Sequence, residues 1–138
     1  MKTYRRVIEI ITDKKEGVID ITERVMEILK ESGIKEGFCL VFSLHTSSGV
    51  YISDSDYNLT YDLLNILNDL LPRNKEYLHN KVDYKKNATA HLKTILTSHH
   101  VLLPITNGNL DLGLYHTIYY AEFDGRRKKE ILVKIIGE

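Results

Sequence analysis

Apolar residues recur along this chain in two different periods, and the places where the period changes mark the element boundaries. Tyr4 to Thr12 is rich in Val and Ile and suits a strand. A charged turn follows, Asp13 to Gly17. Ile21, Val25, Ile28 and Leu29 then repeat at helical spacing. Asp20 is placed to cap that helix, with Glu23 as its capping-box partner, and Gly33 is placed to close it. Phe38 to Leu44 is an almost unbroken apolar run, the pattern of a strand buried on both faces. It gives way abruptly to the polar loop His45-Thr46-Ser47-Ser48-Gly49, and Val50 to Ser53 reads as a short strand.

Leu59, Leu63, Ile66, Leu67 and Leu70 form the stripe of a second helix, capped by Asp54 or Asp56 and ended by Pro72. Arg73 to Lys86 reads as a long polar loop, and loops of that length are often functional. Asn87 is placed to cap a short third helix carrying His91, Lys93 and Ile95, with His99 and His100 in the connection after it. Val101 to Ile105 is a predicted strand. Asn107-Gly108 is a strong tight-turn signal, because both positions accept positive φ. Tyr115 to Phe123 is another strand, and Asp124-Gly125 a second hairpin signal. Lys128 to Ile136 alternates Ile131, Val133 and Ile135 against Glu130, Leu132 and Lys134, as a half-buried strand does. This order predicts one mixed α+β domain over residues 1–138, its C-terminal half largely an antiparallel meander. Strand and helix do not alternate regularly, which argues against a Rossmann or barrel fold.

Composition narrows the function classes. The 19 Lys and Arg balance the 19 Asp and Glu, so the chain lacks the basic excess of a protein held broadly on nucleic acid. No apolar run approaches the ~20 residues that span a bilayer. The N-terminal apolar stretch is too short and interrupted for a signal peptide, so a cytoplasmic, soluble chain is expected. A single cysteine, Cys39, excludes an intrachain disulfide framework and a cysteine-based zinc cluster.

Candidate chemistry is scattered. His45 stands where a buried strand meets Thr46, Ser47, Ser48 and Gly49, whose backbone N–H groups and hydroxyls could form an anion-binding nest, although from the residues alone an ordinary turn with a capped core histidine is the stronger reading. His91 and Lys93 share the start of a short helix, flanked by small alanines that permit close approach. Alternation puts His116, Ile118, Tyr120 and Glu122 on one strand face, where a half-buried His and Glu would have shifted pKa values. Arg126 and Arg127 follow in a turn, and Arg suits phosphate because its fork donates two bonds at once. Three histidines and a carboxylate would satisfy zinc, but His45, His79, His91 and His116 show no short ligand spacing such as H-E-x-x-H.

The stretches His45-Thr46-Ser47-Ser48-Gly49, Tyr77-Leu78-His79, Asn87 to Lys93, Asn107-Gly108, Leu112-Gly113 and Glu122 to Arg127 resemble the YjbQ-like family, whose members are labelled secondary thiamine-phosphate synthases. The similarity runs over essentially the whole chain. It implies two packed β-sheets with flanking helices, assembled as a homotrimer. The implied activity joins a pyrimidine methyl pyrophosphate to a thiazole phosphate and releases pyrophosphate. The alternative is a non-catalytic homotrimeric protein that binds metal or phosphate. His45, His79, His91, Glu122 and Arg126 fall on the family's polar motif positions. The resemblance makes His45, His91, Glu122 and Arg126 the catalytic candidates, with Glu122 holding a histidine in its needed tautomer. Thr46, Ser47, Ser48, Gly49, Lys93 and Arg126 are the expected phosphate binders, and His45, His79 and His91 the expected metal ligands. A divalent metal, Mg or Zn, is implied, with no organic cofactor, and the expected partner is a phosphorylated small molecule. Where many members read Trp-Gln, this chain reads Tyr115-His116, which adds a titratable group.

Overall fold

In the computed structural model, which describes residues Met1–Glu138, strand alternation builds a five-stranded sheet whose apolar inner face is clearest on one interior strand. That strand is β8 (Lys129–Gly137), and its Ile131, Val133 and Ile135 are wholly buried on the inward face. It lies between β1 (Lys2–Ile10) and β3 (Gly37–Ser43); β5 (His100–Thr106) and β6 (Asn109–Leu110) extend the sheet beyond β3. A second sheet has β7 (His116–Glu122) between β2 (Gly17–Asp20) and β4 (Ser48–Asp54). Every pairing in both sheets is antiparallel.

The two faces of β7 define the layers. Ile118 and Tyr120 join the main core with Cys39, Val41, Leu103 and the inward residues of β8. Ala121, with Phe123 just beyond the strand, packs the other way, against Leu67 of α2 (Tyr57–Leu70) and Ala90 of α4 (Ala88–Thr97). The result is sheet on sheet, with helices on the outer side of the smaller sheet. Helix α1 (Thr22–Ser32) adds Val25, Ile28 and Leu29 to the main core. The mixed α+β fold with two antiparallel sheets and flanking helices is therefore as expected.

Several local expectations need correction. The strand β2 is only four residues long, too short to show a period. Ile21, not Asp20, occupies the cap position of α1; the Asp20 carboxylate instead accepts the Thr22 N–H at 2.9 Å, and no capping box forms. Asn107 and Gly108 make the predicted tight turn, at φ 51° and 78°. The Asp124-Gly125 turn is not a hairpin, because β7 and β8 lie in different sheets. It is a crossover pinned to the 12–15 turn by Gly125 N–H to Lys15 O at 2.9 Å and Arg126 N–H to Thr12 O at 3.1 Å. A Cβ at Gly125 would lie 2.2 Å from Lys14 O and from Thr12 Oγ1, so only glycine lets these two turns meet. Turn chemistry specifies a reversal of the chain; it does not specify which sheet receives the next strand.

β3 is buried on one face, not two. Cys39 and Val41 are fully enclosed, but Phe38 is 51% exposed, as is much of Leu102 on β5 and Ile136 on β8. Register puts these side chains on one outward face: Phe38 opposite Ile136, and Leu40 opposite Leu102. No helix of the chain is long and apolar enough to cross a membrane.

Candidate functional site

Four side chains at even spacing along the chain, His79, Asp83, Asn87 and His91, converge at the start of α4. His79 opens the single helical turn α3 (His79–Val82), and Asp83 ends it. This turn lies inside the segment expected to be a long loop. The Tyr77 hydroxyl donates to Pro72 O at 2.7 Å and anchors the segment. The ligand-type atoms of His79, Asp83 and His91 all lie within 4.8 Å of one another. His79 Nε2 is 3.3 Å from Asp83 Oδ2, and the two imidazoles meet edge to face with centroids 4.9 Å apart.

Asn87 shows what this arrangement is suited to. Its Oδ1 lies 3.1 Å from His79 Nε2 and 3.1 Å from His91 Nε2. Its orientation is fixed from behind, because its Nδ2 donates to Asp124 Oδ2 at 3.3 Å; a flipped amide would set oxygen against carboxylate. His91 Nδ1 lies 3.0 Å from Thr46 O, a carbonyl that can only accept, so Nδ1 carries a proton. In neutral His91 the Nε2 lone pair then faces the Asn87 oxygen. Two acceptors in contact need either a second proton on the imidazole or a cation between them. Ligands on a metal at roughly 2.0–2.1 Å sit roughly 3.0–3.4 Å from one another, and three pairs here have that spacing: the Asn87 oxygen with each imidazole, and His79 with Asp83. The donor set fits a divalent ion. Imidazole nitrogens favour zinc or another transition ion over magnesium. A proton on His91 Nδ1, held by a backbone carbonyl, is also the usual outer support of a metal-binding Nε2.

The support behind this cluster is a buried carboxylate held by two half-exposed cations. Asp124 accepts from Lys15 at 3.0 Å and from Arg127 at 3.1 Å as well as from Asn87. Burial opposes its ionisation, but the hydrogen bonds of Lys15 and Asn87 and the charges of Lys15 and Arg127 outweigh that and hold its pKa below the ordinary 3.8. The imidazole cluster opens onto a cleft of about 720 Å³, with Leu78, Leu92 and Ile95 on its apolar wall and His99 at its edge.

The other expected site residues are elsewhere. His45 does not join the cluster: its Nε2 accepts the Glu130 N–H at 2.9 Å, and only its neighbour Thr46 reaches the site, through a backbone carbonyl. Ser48 and Gly49 lie in β4, paired with Glu122 and Ala121, so no open nest forms. Gly49 is required there, since a Cβ would come within 2.4 Å of Ser98 O. Ser47 Oγ and Glu122 Oε2 both accept from Lys129, at 2.9 and 2.7 Å. Glu122 also accepts from the Tyr120 hydroxyl at 2.6 Å and is wholly buried, so it orients no histidine. Lys93, two residues beyond His91, points into the protein; it is 1% exposed and donates to Glu16 at 2.8 Å and Asn68 at 2.6 Å. It is not placed to meet a ligand in the cleft. His116 is exposed at the start of β7 and accepts the Gly113 N–H at 2.9 Å. Cys39 is enclosed, and burial pushes its thiol up to about 12. Arg126 stands apart on an exposed turn.

Sequence reasoning missed Asp83 and Asn87. Their signal was the recurrence of a polar group every fourth residue from 79 to 91, across a segment read as loop. Asn87 does precede α4 as expected, but its side chain is diverted from capping; Asn80 Oδ1 accepts the Ala88 N–H instead, at 3.0 Å.

His45 carries a pH prediction. Burial first, then the positive charge of Lys129, lowers its pKa from 6.5. The folded chain thus binds fewer protons there than the unfolded chain. The stability this contributes is complete above the unfolded value and is lost as pH falls through the lower folded one. Between about pH 7.5 and 5.5 the melting temperature of the parent should fall more than that of His45→Gln, whose amide oxygen accepts the same N–H without titrating. Equal slopes would remove His45 from the pH response.

The profile of a family described as "UPF0047 protein YjbQ-like" matches residues 6–138. A UPF0047 protein of Methanothermobacter thermautotrophicus is 34% identical over 138 residues, covering 100% of this chain and 95% of that protein. The UPF0047 protein YugU of Bacillus subtilis is 33% identical over 135 residues, covering 96% of this chain and 98% of YugU. Among solved structures, a YbjQ-like protein of unknown function from Sulfolobus solfataricus aligns with a TM-score of 0.94 at 31% identity, over 99% of each chain. A YjbQ/UPF0047 protein of Clostridium acetobutylicum aligns at 0.88 and 34% identity, over 95% of this chain and 99% of that one. With the profile spanning nearly the whole sequence and full-length relatives at this identity, the chain belongs to the YjbQ-like UPF0047 family.

Proposed function

We propose that this protein binds a divalent transition metal through His79, His91 and Asp83, with Asn87 at the fourth corner, and presents it to a small organic anion in the adjoining cleft. The observation that carries this reading is the pair of 3.1 Å approaches of the Asn87 oxygen to two imidazole nitrogens, one of which has its other nitrogen committed to a carbonyl. A metal there would act as a Lewis acid toward an oxygen of the bound molecule. The chain's own groups hold the ligands in position, and the apolar wall of Leu78, Leu92 and Ile95 takes the organic body.

The reaction implied by the family resemblance, transfer of a pyrimidine methyl group from pyrophosphate to a thiazole phosphate, is a finer reading of the same site. Its departing pyrophosphate gains negative charge, which a cation stabilises. The second reading is a non-catalytic metal- or phosphate-binding homotrimer. It is favoured by the absence of Glu122 and His45 from the cluster, which removes two of the expected catalytic groups. The exposed apolar face of Phe38, Leu102 and Ile136 is a surface that a trimer would cover.

The test is calorimetric titration of zinc into the chelator-treated full chain, with the His79→Ala and His91→Ala variants alongside. One site per chain is expected, weakened about 100-fold or more in each variant, since each loses a direct ligand. Parent and variants binding alike would overturn the metal reading. Zinc-loaded parent is then assayed for pyrophosphate release from the two thiamine precursors. Release that His91→Ala abolishes supports the transferase; metal binding without release leaves the binding role.

A further inference from the structure

On the far side of Asn87 from the cluster, two adjoining hollows share Lys15, Lys85 and Asp124 and together make one shallow basin, the inner one bordered also by Arg73 and Lys86 and the outer one by Arg126 and Arg127. We propose that this basin is a second, separate binding site for a phosphate-class polyanion, either a free pyrophosphate or the phosphoryl end of a larger molecule.

The charge balance is the first argument. The whole chain carries 19 positive and 19 negative side chains, so six cations around one concavity are not a consequence of composition. Asp124 pairs with both Lys15 and Arg127, its single charge offsetting only one of them, and Glu16 lies 3.5 Å from Arg73 while also pairing with Lys93. Lys85, Lys86 and Arg126 have no carboxylate partner. Like charges at this density repel unless an anion joins them.

Backbone conformation is the second. Lys86 and Arg126 are two of only four non-glycine residues with positive φ, at 49° and 70°. Glycine or asparagine would take these conformations at lower cost. Instead each holds a long cationic side chain at the rim of the same basin, on turns fixed by Lys86 N–H to Asp83 O and Arg126 N–H to Thr12 O, both 3.1 Å.

Shape is the third. The inner part of the basin is about 110 Å³, the scale of a phosphoryl group, with Thr89 and Ala90 of the first turn of α4 along one side. A nucleic-acid strand would need a longer groove. Asn87 and Asp124 line the basin, and Asn87 also faces the imidazoles, so the two sites share a wall. An anion that draws Lys15 and Arg127 toward itself loosens their hold on Asp124, and through it the orientation of Asn87. Anion and metal binding are thereby coupled, and the coupling must be reciprocal. The inference extends the metal reading, and its test reads the two sites separately.

The test is titration of inorganic pyrophosphate, and in parallel a phosphate monoester, into the chelator-treated full chain, repeated on Lys85→Ala/Lys86→Ala, on Arg126→Ala and on His91→Ala. Pyrophosphate should bind without metal, weaken about tenfold for each charged contact removed and bind His91→Ala unchanged. Tighter binding of the monoester than of pyrophosphate points to the phosphoryl end of a larger molecule, and the reverse to the free ion. The altered side chains of the basin, Lys85, Lys86 and Arg126, are exposed, and Arg126→Ala serves if the double variant does not fold. Three results would overturn the proposal. These are no binding at millimolar pyrophosphate, loss of binding in His91→Ala with the basin variants unaffected, and preferential binding of an oligonucleotide.

Discussion

Replacing Lys129 with Met should destabilise the protein by about 3–5 kcal/mol, the cost of leaving a buried carboxylate without its cation. Lys129 and Glu122 are both wholly buried between the sheets, with Nζ 2.7 Å from Oε2. Around them the polar network is complete. Lys129 also donates to Ser47 Oγ, Tyr120 donates to Glu122 Oε1, and the Asp124 N–H donates to Glu122 Oε2 at 3.2 Å. No buried side-chain polar atom in the chain lacks a partner. Burial, together with the Glu122 hydrogen bond, drives the Tyr120 phenol well up, so it stays a donor throughout the accessible pH range. Methionine fills the volume but donates nothing, and thermal denaturation should show a midpoint about 10 °C lower or more. The double variant Lys129→Met/Glu122→Leu should recover part of the loss, because it removes the orphaned charge as well. A single variant within about 1 kcal/mol of the parent would show that the pair is solvated after all.

This pair also underlies the site. Ser47 precedes β4 and follows Thr46, whose carbonyl holds His91. Asp124 follows Phe123, whose N–H donates to Ser47 O at 3.1 Å, and its carboxylate holds Asn87. The two supports of the imidazole cluster therefore rest on one buried network.

Asn87→Ala should lower metal affinity about 10–100-fold while leaving the fold near its parent stability, measured by zinc titration and by melting of the metal-free chain. The side chain reaches both imidazoles and Asp124, and alanine abolishes all three contacts. Asn87 is not the helix's side-chain cap, so α4 loses little. Asn87→Asp separates the roles further. Its carboxylate adds a charged metal ligand but stands against Asp124, so metal-free stability should drop while affinity holds. Unchanged affinity in Asn87→Ala would place the ion, if bound, on the other three residues alone.

Much of this architecture was legible in the sequence because it is local. Alternation of Ile131, Val133 and Ile135 against their polar neighbours fixes the inner face of β8 wherever that strand lies. Asn107-Gly108 makes its turn from its own backbone preference. The leucine stripe of α2 marks the side that packs. Even the metal candidates were half visible, as His79 and His91, the former in a segment already suspected for its length.

What the sequence determined by itself was which elements form and which face of each is apolar, since those depend on residues within a few positions of one another. Which elements meet was decided only by the tertiary structure. Thr46 and His91 are 45 residues apart, Asn87 and Asp124 are 37, and Ser47 and Lys129 are 82. Periodicity places His45 at a strand end and Lys93 on a helix, but it does not say that one accepts a backbone N–H from β8 and the other turns inward to Glu16. Those assignments follow from stacking one sheet on another. Stacking desolvates every polar group at the seam and so forces each to find its partner there.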